Sequence, residues 1–161
     1  MKFRVCNRPD IGKWNPVGVP HLIISISTPG DEEAEVRLNE FTVDVLRLSF
    51  NDLDQEPGPA FRKVYGEPVL FDEKLAVQIR DFVQANVGRS IKQIVVHCDA
   101  GQSRSPAVAA ALAKKLNGSD DEFWEPSVMY AQRRYSPNRL VYRVLLDILM
   151  GWRRASQLDA G

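Results

Sequence analysis

The stretch that decides the fold runs from residue 91 to residue 118 and reads IKQIVVHCDAGQSRSPAVAAALAKKLNG. Ile91 to Cys98 predicts a buried strand, because a run of β-branched residues lies between polar turns. Arg104 to Leu116 predicts a helix, because it is rich in alanine and carries Pro106 in its first turn, where proline is tolerated. Gly118 lies just beyond the predicted end of this helix. The stretch is therefore a strand, a short loop and a helix, the unit of an α/β fold.

The rest of the chain repeats this alternation of strands and helices. Further strands are predicted at Lys2 to Cys6, His21 to Ser27 and Thr42 to Phe50. Further helices are predicted at Glu73 to about Val87, Ser127 to Tyr135 and Pro137 to Met150. These elements predict one α/β domain over residues 1–161, with a central, twisted, mostly parallel sheet of about four or five strands flanked by helices.

Two segments are predicted to be loops, and one helix face is predicted to be buried. Asn7 to Pro20 and Asn51 to Val69 contain several prolines and glycines, which interrupt regular structure. A loop as long as the second one is usually functional or mobile in a compact domain. In the last predicted helix, Leu140, Val144 and Ile148 follow the four-residue spacing of a buried stripe.

The composition argues against several classes of protein. The chain has 161 residues with 21 Lys+Arg and 21 Asp+Glu, so its formal net charge is zero. A general binder of nucleic acid or of anionic membranes would show a basic excess, so neither partner is expected. The two cysteines and two histidines are too few for a disulfide framework or a convincing zinc cluster. The N-terminus lacks the apolar core of a secretory signal, so we expect a cytoplasmic protein. We also expect the protein to be a monomer.

The loop between the quoted strand and helix has the features of an anion-binding site. Cys98 ends the strand and Arg104 begins the helix, and ligands bind beyond the carboxyl ends of the strands in open α/β sheets. Backbone N–H groups of such a loop can converge on an anion, and the helix N-terminus adds its own unpaired amides. Gly101 permits a close turn, and Arg104 can bind a tetrahedral dianion through two parallel hydrogen bonds.

The same loop favours a reactive cysteine. A field that binds phosphate also favours the thiolate form of Cys98, and a thiolate at the floor of a phosphate site is a nucleophile aimed at phosphorus. Ser105 can donate a hydrogen bond to the sulfur and stabilise it as a leaving group. We expect His97 to orient the loop from a buried position rather than to act as a base.

These residues form the pattern His-Cys-x-x-Gly-x-x-Arg-Ser, matched without a gap from His97 to Ser105. The pattern resembles the signature of the cysteine-dependent protein tyrosine phosphatases, and the short chain resembles their compact dual-specificity branch. The resemblance extends more weakly from His21 to about Leu149 and does not clearly cover residues 1–20. It implies the fold of that branch, a phosphorylated protein or peptide as substrate, a cysteinyl-phosphate intermediate, and no metal or organic cofactor. It assigns phosphate binding to Asp99, Ala100, Gly101, Gln102, Ser103 and Arg104.

The resemblance also implies a general acid upstream of the cysteine. A proton donor is needed because an alkoxide or phenoxide leaves poorly. The family takes it from an aspartate on a loop that follows an upstream strand. Residues 48–52, which read LSFND, resemble that segment, so Asp52 is the predicted acid. Asp54 is the alternative, since it lies two residues later on the same irregular segment.

Two further features have more than one interpretation. Ser136-Pro137-Asn138 resembles the Pro-Asn before the final helix of dual-specificity phosphatases, where the asparagine side chain supports the phosphate loop. Ser136 as an N-cap, with Pro137 at the first helical position, would explain the spacing equally well. The segment from Pro57 to Val69 carries two aromatic and two basic residues at 61–65. It either borders the active site or is a surface excursion that packs its aromatic side chains on the core.

Other functions share parts of this pattern. A phosphopeptide-binding module would keep the fold and lose turnover, which requires the acid to be missing or misplaced. Phosphoinositide-selective relatives tend to carry lysines within the loop, where this chain has Asp99, Gln102 and Ser103. RNA 5′-triphosphatases of the capping type share the signature, but the zero net charge argues against RNA. A rhodanese-like sulfurtransferase would need neither His97 nor Ser105.

Overall fold

The computed structural model describes residues 1–126 and 134–152, and its centre is a parallel β-sheet. The strands are β1 (Lys2–Cys6), β2 (His21–Ser27), β3 (Thr42–Ser49) and β4 (Gln93–His97), in the spatial order β1-β4-β2-β3. Every neighbouring pair in this sheet runs parallel. The predicted α/β class is therefore confirmed, and the described residues form four strands in a sheet that is parallel throughout.

Helices connect these strands and cover the sheet. They are α1 (Arg8–Ile11), α2 (Pro59–Tyr65), α3 (Glu73–Asn86), α4 (Arg104–Asn117) and α5 (Arg139–Met150), with a short 3₁₀ helix at Asp121–Phe123. Within the described parts of the chain, no helix is long and apolar enough to cross a membrane. The predicted helix from Ser127 to Tyr135 lies outside the described residues except for its last two positions, which are not helical.

Two of these helices lie in segments that we predicted to be loops. In α1, the side chain of Asn7 accepts a hydrogen bond from the Asp10 amide (2.8 Å), and Pro9 occupies the first turn. Helix α2 begins with Pro59 directly after Gly58. Proline has the φ angle of a helix and is tolerated in the first turn, so Pro9 and Pro59 are compatible with helix starts and do not exclude helices here.

The main core lies between the sheet and helices α3, α4 and α5. The alanine-rich part of α4, Ala107 to Ala113, is completely buried there. The predicted buried stripe of α5 is wrong by one residue: Val141, Leu145 and Leu149 are buried, and the predicted set lies half-buried beside them. The reason is that α5 contacts both α3 and α4, so its apolar face is broad and its centre differs from the edge that the spacing indicated.

The parallel sheet brings three chain segments together at one edge. Thr28 follows β2, the segment from Phe50 to Asp52 follows β3, and Cys98 follows β4. Because parallel strands share the direction of their carboxyl ends, these segments meet beside the N-terminus of α4. This edge of the sheet holds the candidate site.

Candidate active site

The loop from Cys98 to Arg104 is held open by bonds from outside it. Three of its carbonyl oxygens accept hydrogen bonds from the backbone of neighbouring segments. These bonds run from the Arg8 amide to Asp99 (3.0 Å), from the Ser136 amide to Gln102 (2.8 Å) and from the Asn138 amide to Ser103 (3.0 Å). Within residues 1–126 and 134–152, no amide from Asp99 to Ser103 donates to a protein acceptor. The loop therefore keeps a series of unpaired N–H groups, as an anion-binding nest does.

Gly101 makes the shape of this loop possible. Its φ is +66°, in the left-handed region that favours glycine. A Cβ at this position would also lie 2.9 Å from the carbonyl oxygen of Cys6. The turn at Cys6 and Asn7, between β1 and α1, thus packs directly behind the loop. Part of the first 20 residues, which the sequence resemblance did not clearly cover, therefore supports the site.

Cys98 lies at the floor of the loop. It is buried, and its Sγ is 3.0 Å from the hydroxyl of Ser105, close enough for that hydroxyl to donate a hydrogen bond to the sulfur. The neighbouring His97 is also buried, with Nε2 2.6 Å from the Ser25 hydroxyl and Nδ1 3.4 Å from the Cys98 carbonyl. Burial lowers the pKa of His97 to about 4, so the imidazole is neutral at pH 7. A neutral ring between these two partners fits an orienting role.

The two cysteines occupy different parts of the core. Cys98 belongs to the main cluster, whereas Cys6 packs with Ile11, Ile23 and Val95 in a second cluster. Cys6 pairs with His97 across β1 and β4, and since successive residues of a strand point to opposite faces, its side chain and that of Cys98 diverge. Burial raises the pKa of the Cys6 thiol, which keeps it protonated.

Arg104 is buried at the start of α4 with its guanidinium at the edge of the sheet. It donates to the Thr28 hydroxyl (3.0 Å), to the Phe50 carbonyl (2.9 Å) and to the Asp99 carboxylate (2.9 Å). Sequence reasoning did not select Thr28 or the Phe50 carbonyl. The signal that could have indicated Thr28 is its place directly after a buried parallel strand.

The predicted acid Asp52 is fixed at the mouth of this loop. Its Oδ1 accepts hydrogen bonds from the Ser103 hydroxyl (2.7 Å) and from the side-chain amide of Asn138 (2.9 Å). The same amide donates to the Leu53 carbonyl (3.1 Å), and Asn138 Oδ1 accepts from the Val141 amide (3.1 Å) as the N-cap of α5. The alternative interpretation of Ser136 as this N-cap is therefore wrong. Asn138 instead joins the aspartate segment, the loop and the last helix.

A surface cavity of about 330 Å³ lies beside this group, lined by residues 52–54, Ser103 and residues 136–139. Asp54 thus lies on the same cavity as Asp52, and both aspartates are exposed. No residue from 57 to 69 lines the cavity. Helix α2 presents Tyr65 to solvent, with its ring 4.9 Å from that of Phe61. At the end of the segment, the Val69 carbonyl accepts a hydrogen bond from the Asn51 amide (2.7 Å), next to Asp52, so a role of this segment at the active site stays a prediction.

Comparisons with known proteins address the fold. No protein-family profile matches the sequence, and no curated protein matches it. Among solved structures, PTPMT1 has a TM-score of 0.50 at 18% identity, covering 92% of this chain and 90% of its own. The PTP-2 phosphatase of Cydia pomonella has a TM-score of 0.52 at 15% identity, covering 91% and 85%. This chain has the fold of the tyrosine phosphatases.

A third structure with this phosphatase fold is the human tyrosine phosphatase-like serine/threonine/tyrosine-interacting protein. Its TM-score is 0.50 at 20% identity, and the match covers 81% of this chain and 76% of that one. The predicted resemblance to tyrosine phosphatases is therefore confirmed for the fold. At these identities the chemistry has to be argued from the residues of the site itself.

Proposed function

We propose that this chain is a phosphatase that hydrolyses phosphate monoesters on proteins through a cysteinyl-phosphate intermediate. The observation that carries the proposal is the position of the Cys98 sulfur at the floor of a loop with unpaired amides, next to the Ser105 hydroxyl. Such a loop binds a tetrahedral dianion and brings its phosphorus to the sulfur.

In the first step, the thiolate of Cys98 attacks phosphorus in line with the ester bond. The S–P bond forms, the P–O bond to the leaving group breaks, and Asp52 gives its proton to the leaving oxygen. The loop amides and the guanidinium of Arg104 stabilise the equatorial oxygens as charge builds on them.

In the second step, water replaces the leaving group. The carboxylate of Asp52 takes a proton from this water while its oxygen attacks phosphorus. The S–P bond breaks, inorganic phosphate is released, and the Ser105 hydroxyl stabilises the returning thiolate. The aspartate then carries the proton needed for the next cycle, so no metal or organic cofactor takes part.

The presence of a fixed acid favours an enzyme over a phosphopeptide-binding module. A module of that kind would lack a placed proton donor, whereas Asp52 is held by Ser103 and Asn138 beside the loop.

For the substrate we propose phosphotyrosine, with phosphoserine and phosphothreonine as further candidates. A highly charged inositol phosphate is the weaker candidate, because the loop has Asp99, Gln102 and Ser103 where phosphoinositide-selective relatives tend to carry lysines.

The test of this proposal is release of phosphate from para-nitrophenyl phosphate by the purified protein in the presence of a chelator. Turnover that is unchanged by the chelator is expected, because the chemistry uses only side chains and water. A phosphopeptide panel then compares phosphotyrosine with phosphoserine and phosphothreonine. A protein that binds phosphopeptides without releasing phosphate would support the binding module instead.

The role of Asp52 is tested by leaving groups of different quality. We expect Asp52→Asn to reduce kcat/KM for phenyl phosphate far more than kcat/KM for an activated aryl phosphate, roughly 10²-fold against a few-fold, because only the poor leaving group needs a proton in the first step. A general acid makes turnover fall as the pH rises from acidic to neutral, because the acid loses its proton. In Asp52→Asn this fall should be flattened. Steady-state rates for both substrates across pH measure this.

Asp54→Asn is the matched control, since Asp54 lines the same cavity two residues further along the chain. If Asp54→Asn gave the leaving-group effect and Asp52→Asn did not, the acid would be Asp54. If neither variant discriminated between the two substrates, the acid would lie outside this segment.

Oxidation should inactivate the enzyme at Cys98. A thiolate in the loop is expected to react with peroxide to a sulfenic acid, and a thiol reductant should restore activity. Tungstate bound in the loop should slow the inactivation, because it covers the sulfur. Peptide mapping should show no Cys6–Cys98 disulfide, since the two side chains diverge across the sheet; finding that disulfide after mild oxidation would contradict the arrangement.

A further inference from the structure

The guanidinium of Arg104 uses three of its hydrogen-bond donors inside the protein. Nη1 donates to both the Thr28 hydroxyl and the Phe50 carbonyl, and Nη2 donates once to Asp99 Oδ2. A guanidinium has five N–H donors, so one on Nη2 and the one on Nε remain. Within residues 1–126 and 134–152, neither has a protein acceptor.

The positions of the three acceptors show which edge of the guanidinium is free. The Thr28 hydroxyl donates to Asp99 Oδ2 over 2.7 Å, so these two oxygens lie side by side. They receive hydrogen bonds from Nη1 and Nη2 respectively, which places them at the end of the guanidinium between those two nitrogens. The free donors are therefore the adjacent pair on the Nε side, the spacing that binds two oxygens of a phosphate.

Asp99 is the charged member of this arrangement. Burial alone would raise the pKa of its carboxyl, but hydrogen bonds from Thr28 and Arg104, together with the charges of Arg104 and Arg8, lower it. The Arg8 guanidinium lies 3.7 Å from Asp99 Oδ1, and its Nη2 donates to the Glu32 carbonyl (2.7 Å). Asp99 is thus an anion held between two arginines, with its carbonyl also tied to the Arg8 amide.

We propose that Asp99 is a positioning residue that, with Thr28, holds Arg104 so that its free edge faces a phosphate in the loop. This inference deepens the proposed function, on which it rests. The side chain of Asp99 then acts through the arginine that ends the same loop, not by touching the substrate. The loss of tungstate affinity and of kcat/KM on removing the Asp99 side chain must therefore depend on the presence of the planar guanidinium.

A double-mutant cycle tests this dependence. It uses wild type, Asp99→Ala, Arg104→Lys and the double variant, each measured by calorimetric binding of tungstate, a tetrahedral dianion, and by kcat/KM for para-nitrophenyl phosphate. We expect Asp99→Ala to lose about 10- to 100-fold in both quantities, the range for a hydrogen bond to a charged group. In the Arg104→Lys background, Asp99→Ala should lower both quantities by less than about threefold, because a lysine has no planar pair of donors that Asp99 could orient.

Controls separate positioning from a general loss of structure. Asp81→Ala removes an exposed aspartate that is paired with Arg80 on α3, and it should leave binding and turnover unchanged. If Asp99→Ala lowers the melting temperature enough to change the folded fraction, Asp99→Asn, which has the same size and keeps one acceptor oxygen, replaces it and should show a smaller loss of the same kind.

The outcomes distinguish this proposal from the proposed function. The positioning role would be overturned if the loss in the double variant equalled the product of the losses in Asp99→Ala and Arg104→Lys. It would also be overturned if Asp99→Ala bound tungstate like wild type. A wild type that binds tungstate without turnover would end the phosphatase proposal, while the binding cycle would still decide the role of Asp99. A wild type that fails to bind tungstate would contradict both.

Discussion

Replacement of Cys98 by serine is expected to abolish turnover while leaving phosphate binding largely intact. A serine hydroxyl stays protonated in the loop and is a much weaker nucleophile, so we expect a loss of roughly 10⁴-fold or more in kcat. The groups that bind the dianion, namely the loop amides and Arg104, are unchanged in this variant. Turnover of para-nitrophenyl phosphate and calorimetric binding of tungstate measure the two quantities separately.

Cys6→Ala is the control for the loss of a buried thiol. The Cys6 side chain lies in the second core cluster, so this variant should keep its turnover even if it is less stable. Comparable activity in wild type and Cys98→Ser would exclude covalent catalysis by this cysteine. Loss of tungstate binding in Cys98→Ser would show that the sulfur is needed to hold the loop, and not only for the reaction.

Replacement of Arg104 by lysine should reduce kcat/KM by about 10²-fold or more, although the positive charge is kept. Lysine has one ammonium group in place of a planar fork, so it cannot offer two parallel donors to the phosphate. It also leaves the Phe50 carbonyl and the Thr28 hydroxyl without the donor that each has in the wild type. Both kcat and KM should worsen, since the fork binds the ground state and the transition state.

Arg80→Lys is the matched control for this change, because Arg80 is a partly exposed arginine on α3 paired with Asp81. Its effect on kcat/KM should be within about twofold, as for most surface substitutions. An Arg104→Lys variant with nearly normal turnover would show that the geometry of the guanidinium is unimportant. The free edge of Arg104 would then carry no function.

Much of the fold follows from local sequence signals. The β-branched run before Cys98 and the alanine-rich run after Arg104 form the predicted strand and helix, because each pattern suits a buried element of one type. The predicted helix from Glu73 begins after Asp72, whose side chain accepts a hydrogen bond from the Leu75 amide (3.0 Å) as its N-cap. The loop between strand and helix was recognisable because the residues from His97 to Ser105 match a known signature without a gap.

Other features depend on contacts that the sequence does not display. Helix α2 could not be distinguished from a loop, because its prolines and glycine serve helix starts as well as turns. The contact of Cys6 with Gly101 and the bonds of Thr28 join residues far apart in the chain. The buried residues of α5 lie one position after the predicted ones, because the contacts of α5 with both α3 and α4 determine which face is buried.

Asn138 contacts the loop and the proposed acid through different groups. The resemblance predicted that its side chain supports the phosphate loop, whereas the hydrogen bond to the Ser103 carbonyl (3.0 Å) comes from the backbone amide of Asn138. Its side chain also donates to Asp52, so one residue links the loop with the proposed acid. We therefore infer that Asn138 contributes to the acid step as well as to the shape of the loop.

The central claim is that phosphate is transferred to Cys98, and trapping the intermediate tests it most directly. The enzyme is quenched in acid during turnover of an activated aryl phosphate, digested, and analysed by mass spectrometry. Asp52→Asn should accumulate more of the intermediate than wild type, because this variant lacks the carboxylate that activates water. The account predicts a phosphoryl group on Cys98 in the peptide that spans β4 and the loop. Turnover with no phosphoryl group on Cys98 in either protein, or with the label on another residue, would contradict it.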